Sequence, residues 1–245
     1  MNFYLIKAAY LCNMSIYDSN KIFMTEVVVT EDGSPTLWIE EYSEPYHSLH
    51  GAVQEAMHVF IHTGLGSIAS ARQTIHILEV GFGTGLNALL TWDYAQLHKL
   101  PVSYTGTDPF LPPPSLLKGL NYPVYCRSPY AEQAYAKILS SFDGSRVIKI
   151  DELFSLQVIQ EDFRKISYPD ESYDCVFFDA FRPEIVPELW EKQAMQFLYN
   201  ALSRCRILVT YSTKGQVRRN LSACGFLVEK VPGPPGKREI TLARK

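Results

Sequence analysis

The stretch Ile75-His76-Ile77-Leu78-Glu79-Val80-Gly81-Phe82-Gly83-Thr84-Gly85-Leu86-Asn87 constrains this chain more than any other. The apolar run Ile75 to Val80 predicts a parallel strand covered on both faces. Gly81, Gly83 and Gly85 then supply positions that tolerate positive φ and allow close backbone approach to a ligand. Asn87, with Ala88, Leu89, Leu90 and Trp92 behind it, opens an amphipathic helix. A strand–turn–helix unit of this kind holds a nucleotide-like ligand at the carboxyl edge of an open sheet.

The spacing bears on which ligand. A dinucleotide fingerprint places glycines at the first, third and sixth positions. Here the third glycine comes one position early and Leu86 stands in the sixth. A pyrophosphate also favours a helix N-terminus free of fixed negative charge. Glu79 opposes a pyrophosphate and suits a cation, such as the sulfonium and amino group of S-adenosylmethionine. The pattern favours that cofactor over NAD, with a purely structural glycine turn as the remaining alternative. The expected cofactor contacts are Glu79, Gly81, Phe82, Gly83, Thr84, Gly85 and Asn87.

The strand ends downstream extend the pattern. Val102–Thr107, Leu156–Gln160 and Tyr173–Phe178 read as further strands, followed respectively by Asp108, by Glu161-Asp162 and by Asp179. Ligands of open α/β sheets bind outside such ends. Asp108 is placed to accept hydrogen bonds from ribose hydroxyls, Asp162 to meet an adenine amino group, and Asp179 to project toward a methyl donor. Helices are expected near Gly51–His62, Leu86–Leu97, Tyr130–Leu139, Pro187–Leu202 and Gly215–Cys224, and further strands at Arg206–Tyr211, Phe226–Val231 and Glu239–Ala243. The last two are close enough to pair antiparallel. Val27–Thr30 and Thr36–Tyr42, around Glu31-Asp32-Gly33-Ser34-Pro35, read as a hairpin. The fold expected is α/β, a Rossmann-like class I sheet with an N-terminal hairpin and helix. Residues 1–24 are expected as a loosely ordered extension, 25–66 as the hairpin and helix appendage, and 67–245 as the Rossmann-like core.

Composition narrows the setting. At 245 residues and 47% hydrophobic content the chain can build one large core, and no run reaches the ~20 apolar residues of a membrane span. Five scattered cysteines without a C-x-x-C pair fit a reducing cytoplasm and offer no cysteine zinc site. His47, His50, His58 and His62 are spaced suggestively, but no acid or cysteine completes a familiar metal set, and no metal is expected. The net charge of −3 is unevenly distributed: ten Lys or Arg against two Glu from Arg204 onward leave +8 there and −11 elsewhere. Charge alone allows either a polyanion footprint such as RNA or a solvated face.

Gly81-Phe82-Gly83-Thr84-Gly85-Leu86-Asn87, Phe178-Asp179-Ala180-Phe181-Arg182-Pro183, Pro187-Glu188-Leu189-Trp190, Tyr46-His47-Ser48 and Gly236-Lys237-Arg238-Glu239 together resemble the methyltransferase domain of MnmC-type tRNA-modifying enzymes. The similarity runs over roughly residues 25–243, and the chain looks like the form without the oxidoreductase domain. The resemblance implies methyl transfer from S-adenosylmethionine to the aminomethyl group on C5 of the tRNA wobble uridine, with or without 2-thiolation. It implies Asp179 as the catalytic carboxylate, with Tyr46, Phe181, Lys237 and Arg238 holding the substrate. Ala180 departs from the glycine of many members. The anticodon loop is the implied partner, with an oxidoreductase or the enzyme supplying the aminomethyl precursor acting in sequence. A small-molecule amine methyltransferase and a non-catalytic S-adenosylmethionine-binding module for RNA or protein remain as alternatives.

Overall fold

The computed structural model describes residues 14–18, 21–69, 74–143 and 146–245. At its centre is an eight-stranded sheet in the order β11-β12-β10-β9-β5-β6-β8-β7. Its strands are β5 (Ile75–Val80), β6 (Val102–Thr107), β7 (Ile148–Lys149), β8 (Phe154–Ile159), β9 (Tyr173–Phe178), β10 (Leu202–Thr210), β11 (Leu227–Pro232) and β12 (Glu239–Arg244). β5 pairs in parallel with β6 on one side and β9 on the other, so the chain order reverses at β5. That reversal opens a crevice at the carboxyl ends, where ligands of such sheets sit. β12 inserts antiparallel between β10 and β11.

Alternation along the strands divides the core into two layers. Ile77, Cys175 and Phe177 face one layer, while Leu78, Val176 and Phe178 face the other. The first layer is covered by α2 (Leu86–His98) and α3 (Ala131–Ser140), the second by α4 (Lys192–Ala201) and α5 (Gly215–Ala223).

Four strands, β1 (Met14–Asp18), β2 (Lys21–Val29), β3 (Pro35–Ile39) and β4 (Glu44–Pro45), form a separate antiparallel sheet. Strand pairing thus reaches back to Met14, inside the stretch expected as a loose extension. The remainder of that stretch, residues 1–13, 19 and 20, lies outside the described residues. α1 (Ala52–Ala56) follows and runs on as a π-helical turn, Met57–Leu65. This helix does more than append a hairpin. Val59, Phe60, Ile61 and Leu65 are buried in the same layer as Ile77 and Phe177. A Cβ on Gly64 would lie 2.9 Å from the Phe177 ring, so glycine there lets the helix lie close on the sheet. The hairpin turn reaches the same helix, because Asp32 Oδ2 accepts from Gln54 N at 2.9 Å. An acidic group at a helix N-terminus satisfies an otherwise orphaned donor.

Sequence-level boundaries differ from these mainly at segment ends. The Pro187–Leu202 helix divides into a 3₁₀ turn, Pro187–Trp190, and α4, because Glu191 is extended. β10 begins at Leu202, earlier than expected, with an irregular register before Ile207.

Candidate active site

One pocket lies over the carboxyl ends of β5, β6, β8, β9 and β10, walled on its other side by the segment from Ile39 to Glu55. The glycine turn forms its floor for a reason internal to the fold. Gly81 has φ +87°, and a Cβ there would lie 2.5 Å from the Asp179 carbonyl oxygen. Gly83, at φ +50°, lies under the Tyr46 ring, 3.0 Å from where its Cβ would stand. Left-handed backbone of this kind strains any residue with a side chain. The close approaches are therefore made by Asp179 and Tyr46 of the chain itself. Phe82 turns its ring inward, against Gly106 and, edge-on at 5.4 Å, Phe142. Thr84 and Gly85 are buried and stand outside the pocket lining. Thr84 Oγ1 approaches His47 Nε2 at 3.5 Å, and Tyr135 donates to the Thr84 carbonyl at 3.1 Å.

Glu79 occupies a different place from the one its spacing suggests. It is fully buried behind the pocket wall, with Asn87 Nδ2 donating to Oε1 at 2.7 Å and Tyr104 Oη to Oε2 at 2.8 Å. The physical reason lies in β5, where Glu79 points into the sheet–helix layer that also holds Tyr104. The same Asn87 amide donates to Asp179 Oδ2 at 2.8 Å. Asn87 thus joins a buried carboxylate to one that faces the pocket, forming the series Tyr104–Glu79–Asn87–Asp179. Burial raises Glu79 well above the usual carboxylate range, and the neighbouring Asp179 adds to this against the Asn87 hydrogen bond. Asp179 is likewise raised well above that range, by burial and then by Glu55, with Asn87 and Lys237 opposing.

Asp108 sits on the other side of the glycine turn. Its Oδ2 accepts from Gly83 N at 2.9 Å and its Oδ1 from Phe110 N at 2.9 Å. Burial nevertheless raises it to about 6, against the Phe110 and Gly83 amides. Asp162 also lines the pocket, but Arg164 takes its oxygens through the main-chain amide at 2.9 Å and the guanidinium at 2.5 Å. Burial opposes ionisation there, and the Arg164 hydrogen bonds prevail to hold Asp162 below its ordinary value.

Around the opening, Phe181 meets Tyr46 and Tyr42 edge-on at 5.3 and 5.6 Å. Lys237 lines the pocket and pairs with Glu55 of α1, while Arg182 pairs with Glu44. A second cavity adjoins the first and shares Arg182, Tyr211 and Lys237 with it. Lys214, Lys230 and Arg238 add to its positive lining, against Glu184 and Glu239. Arg238 therefore stands in this outer groove and not in the pocket. The basic C-terminal segment proves to be most of β10 with α5, β11 and β12, with several of its charges spent on ion pairs such as Arg218–Glu239 and Arg244–Glu229. Trp190 is core: it donates to the Phe181 carbonyl at 2.8 Å and packs on Phe178. The histidines serve separate partners. His47 bonds Thr36 at 2.8 Å and burial lowers it to about 4, His50 pairs with Glu31, and His58 contacts the Pro232 carbonyl.

Two pocket residues escape a strand-by-strand reading. Tyr211 lies beside Asp179 because β10 pairs with β9 in register Val209 to Phe177, and its hydroxyl donates to the Ala180 carbonyl at 2.8 Å. The same strand-end rule that nominates Asp179 applies to it. Glu55 carries a different signal, a charge on a helix whose neighbours Ala52 and Ala56 are buried.

The donor set suits a cationic nucleoside ligand. The pocket presents six carboxylates (Glu44, Glu55, Asp108, Asp162, Asp179 and Glu188) against the three cations Arg164, Arg182 and Lys237, each already paired. Each Asp108 oxygen takes one backbone amide and keeps acceptor capacity for hydroxyls. Asn87 Oδ1 is a buried acceptor without a hydrogen-bond partner among the described residues, in a side chain that lines the pocket. A buried acceptor of this kind fits a ligand that brings a donor.

Sheet order, crevice and acidic lining together define a class I S-adenosylmethionine-dependent methyltransferase. A family model described as S-adenosyl-L-methionine-dependent methyltransferase matches residues 127–245. Over most of its length the chain is similar to the methyltransferase part of MnmC proteins, and S-adenosylmethionine is its cofactor. It is 30% identical over 222 residues to the tRNA 5-methylaminomethyl-2-thiouridine biosynthesis bifunctional protein MnmC of Azoarcus sp. (strain BH72), covering 87% of this chain and 34% of that protein. The protein of the same name from Methylibium petroleiphilum is 30% identical over 230 residues, with 87% and 33% covered. The chain thus spans about a third of the length of the curated relatives it matches. Among solved structures, MnmC2 from Aquifex aeolicus superposes with a TM-score of 0.73 at 28% identity, over 93% of this chain and 72% of that one. A probable spermidine synthase from Corynebacterium glutamicum shares the fold, at TM-score 0.51 and 13% identity. No described helix is long and apolar enough to cross a membrane.

Proposed function

We propose that this chain methylates the primary amine of an aminomethyl group on C5 of the tRNA wobble uridine, with Asp179 as the catalytic carboxylate. The observation that carries the reading is the position of Asp179. It faces an acidic, aromatic-rimmed pocket that opens beside a basic groove. A cationic cofactor and an amine acceptor suit the pocket, and a phosphate backbone suits the groove. The relatives' names supply the identity of the base.

When bound, S-adenosylmethionine supplies an electrophilic methyl group on a positively charged sulfur. The chain's own residues then have three tasks. The first is to present the amine neutral, with its lone pair in line with the methyl carbon. Asp179 accepts a hydrogen bond from the amine and takes one proton from its ammonium form, which frees the lone pair for the nitrogen–carbon bond. Burial and Glu55 raise Asp179 above its ordinary range, which brings it toward the affinity a general base needs near neutral pH. The second task is orientation, done by Asn87, whose amide fixes Asp179 Oδ2. The third is to hold the base: Phe181 and Tyr46 offer aromatic surface for stacking, and Lys237 and Arg238 offer charge to the flanking phosphates. Cofactor contacts fall to the turn at Gly81 and Gly83, to Asp108 for the ribose and to Asp162 for the adenine side. The aminomethyl substrate comes from an enzyme acting beforehand, an oxidoreductase or another precursor-forming enzyme, in the cytoplasm where tRNA is modified.

The test is methylation of tRNA carrying 5-aminomethyluridine by the purified protein, with the nucleosides resolved by mass analysis. Asp179→Asn is expected to keep cofactor affinity within a few-fold and to lose about 10³-fold in turnover, within the range for a positioned general base. Methylation of free amines without turnover on the RNA overturns the reading.

A further inference from the structure

Lys237 carries a primary alkylammonium, the same chemical group as a protonated aminomethyl substrate. Its position shows what the pocket accepts at that point. Its ammonium pairs with Glu55 and lies 4.5 Å from the centroid of the Tyr211 ring. Carboxylate plus aromatic face is a recognised cage for such cations. Glu55 and Lys237 both contribute to the charge felt by Asp179, and Tyr211 feels both Asp179 and Glu55, so these groups form one electrostatic cluster.

Glu55 is costly where it stands. Its side chain is 12% exposed, on a helix that buries Ala52 and Ala56 into the core. A carboxylate so placed needs a cationic partner in every state of the protein. Lys237 meets that need from a tightly closed turn: Gly236 has φ +84°, Lys237 N donates to the Pro234 carbonyl at 2.9 Å, and Gly233 N to the Arg238 carbonyl at 3.2 Å. The same lysine lines the basic groove as well as the pocket, so its flexible stem can serve either.

We propose that Glu55 is the second amine-binding carboxylate of the acceptor subsite and that Lys237 is its placeholder, displaced when the substrate amine enters. This rests on the function proposed above. Glu55 then takes the incoming ammonium and Lys237 turns to the RNA phosphates in the groove. Asp179 takes one proton from that ammonium before methyl transfer, so the neutral nitrogen attacks with a free lone pair and keeps its other two hydrogens as the secondary ammonium forms. The arrangement keeps Glu55 paired before and after binding and makes amine recognition and phosphate contact a single exchange.

The experiment compares two anticodon stem–loop RNAs that differ only in carrying 5-aminomethyluridine or plain uridine at the wobble position. Their affinities for the full chain are measured by fluorescence anisotropy with S-adenosylhomocysteine present. The wild type is expected to prefer the aminomethylated RNA by about tenfold, the scale of one charge-assisted hydrogen bond. Glu55→Gln is expected to lose that preference to within twofold while binding plain RNA at least as tightly, because Lys237 is then free for the groove, and Glu55→Asp to retain part of it. Lys237→Gln is expected to leave plain RNA as before, since Lys237 stays on Glu55 there, and to remove the extra phosphate contact, about one in the slope of log affinity against log salt, that the aminomethylated RNA alone makes. A Glu55→Gln protein that keeps the tenfold preference, or that loses both RNAs equally, overturns the proposal. Turnover assays on the same RNA separate the two readings. Turnover by the wild type together with an undiminished preference in Glu55→Gln removes the role of Glu55 alone. A wild type with neither turnover nor preference removes the proposed function and this inference with it.

Discussion

Asp108 and Asp179 end the two strands that flank β5, so they stand on either side of the glycine turn, yet they are held in opposite ways. Asp108 is fixed by two backbone amides, of Gly83 and Phe110. Asp179 is fixed by a side chain, Asn87, which is itself shared with Glu79. Backbone donors move little and suit a ligand whose geometry never changes. Side-chain donors allow the charge on Asp179 to respond to its neighbours, which suits a group that must gain a proton. The Asp108 flank of the pocket, to which the proposed function assigns the methyl donor, is thus held by main chain, and the Asp179 flank, assigned to the acceptor, by side chains from α1, α2, the end of β10 and the β11–β12 turn.

The sharpest way to break this comparison is to remove Asn87. Its amide lowers both Glu79 and Asp179 against the burial that raises them. Without it both carboxyls rise further, so Asp179 holds its proton over more of the pH range and is less often free to take one from the amine. Asn87→Ala is expected to lose about 100-fold in kcat at pH 7, the lower part of the general-base range. The acidic limb of the pH–rate profile should move upward, so that activity recovers partly in alkali. A loss equal at all pH values would mean that Asn87 only supports the fold. Glu79→Gln in the same background is expected to restore stability without restoring the profile, since it replaces the buried carboxyl that Asn87→Ala leaves short of a donor.

The glycine turn and the strand-end position of Asp108 were legible in the sequence, and the side chains that surround Asp179 were not. Ile75 to Val80, Gly81 to Gly85 and Asp108 are joined by local rules of strand, turn and helix, and register follows from the period of two. Glu79 shows the limit of those rules. Its spacing predicts a cation contact, but the strand's alternation turns it into the helix layer, where Asn87 and Tyr104 take both oxygens. Thr84 is the turn residue that faces His47 and lies outside the pocket lining. Glu55 and Lys237 are 182 positions apart in the chain, and nothing local predicts their meeting. The resemblance to a family named Lys237 as a substrate contact but said nothing of what it touches.

A second prediction concerns Asp108 and pH. Its carboxyl lies at about 6 in the folded chain, above the ordinary Asp value of about 3.9. An acid raised by folding binds more protons in the folded than in the unfolded state. Stability without cofactor should therefore fall as pH rises from about 4 to about 6, and level off above, by at most about 3 kcal/mol. Asp108→Asn should flatten that slope. Ribose hydroxyls donate to the ionised form, so cofactor binding should pull the proton off. S-adenosylmethionine affinity is then expected to weaken by up to about tenfold per pH unit below 6 in the wild type, and to be weaker and flat in the variant. Titration calorimetry across pH 5 to 8 reads both effects. An affinity independent of pH would show that Asp108 does not hold the ribose in its charged form.

The smallest effect is expected farthest from the floor of the pocket. Arg238 is exposed in the outer groove and has no ion-pair partner among the described residues, whereas Lys237 beside it is tied to Glu55. An exposed cation that meets a phosphate adds affinity through counterion release and carries no information about the base. Arg238→Glu should weaken tRNA binding by roughly three- to tenfold at low salt, equally for RNA with and without the aminomethyl group. The slope of log affinity against log salt should shrink by about one. Cofactor affinity and turnover at saturating RNA should be unchanged, because no atom of Arg238 reaches the pocket that holds Asp108 and Asp179. An unchanged salt slope would place the RNA on another face, and the groove beside Tyr211 would then have to be explained without phosphates.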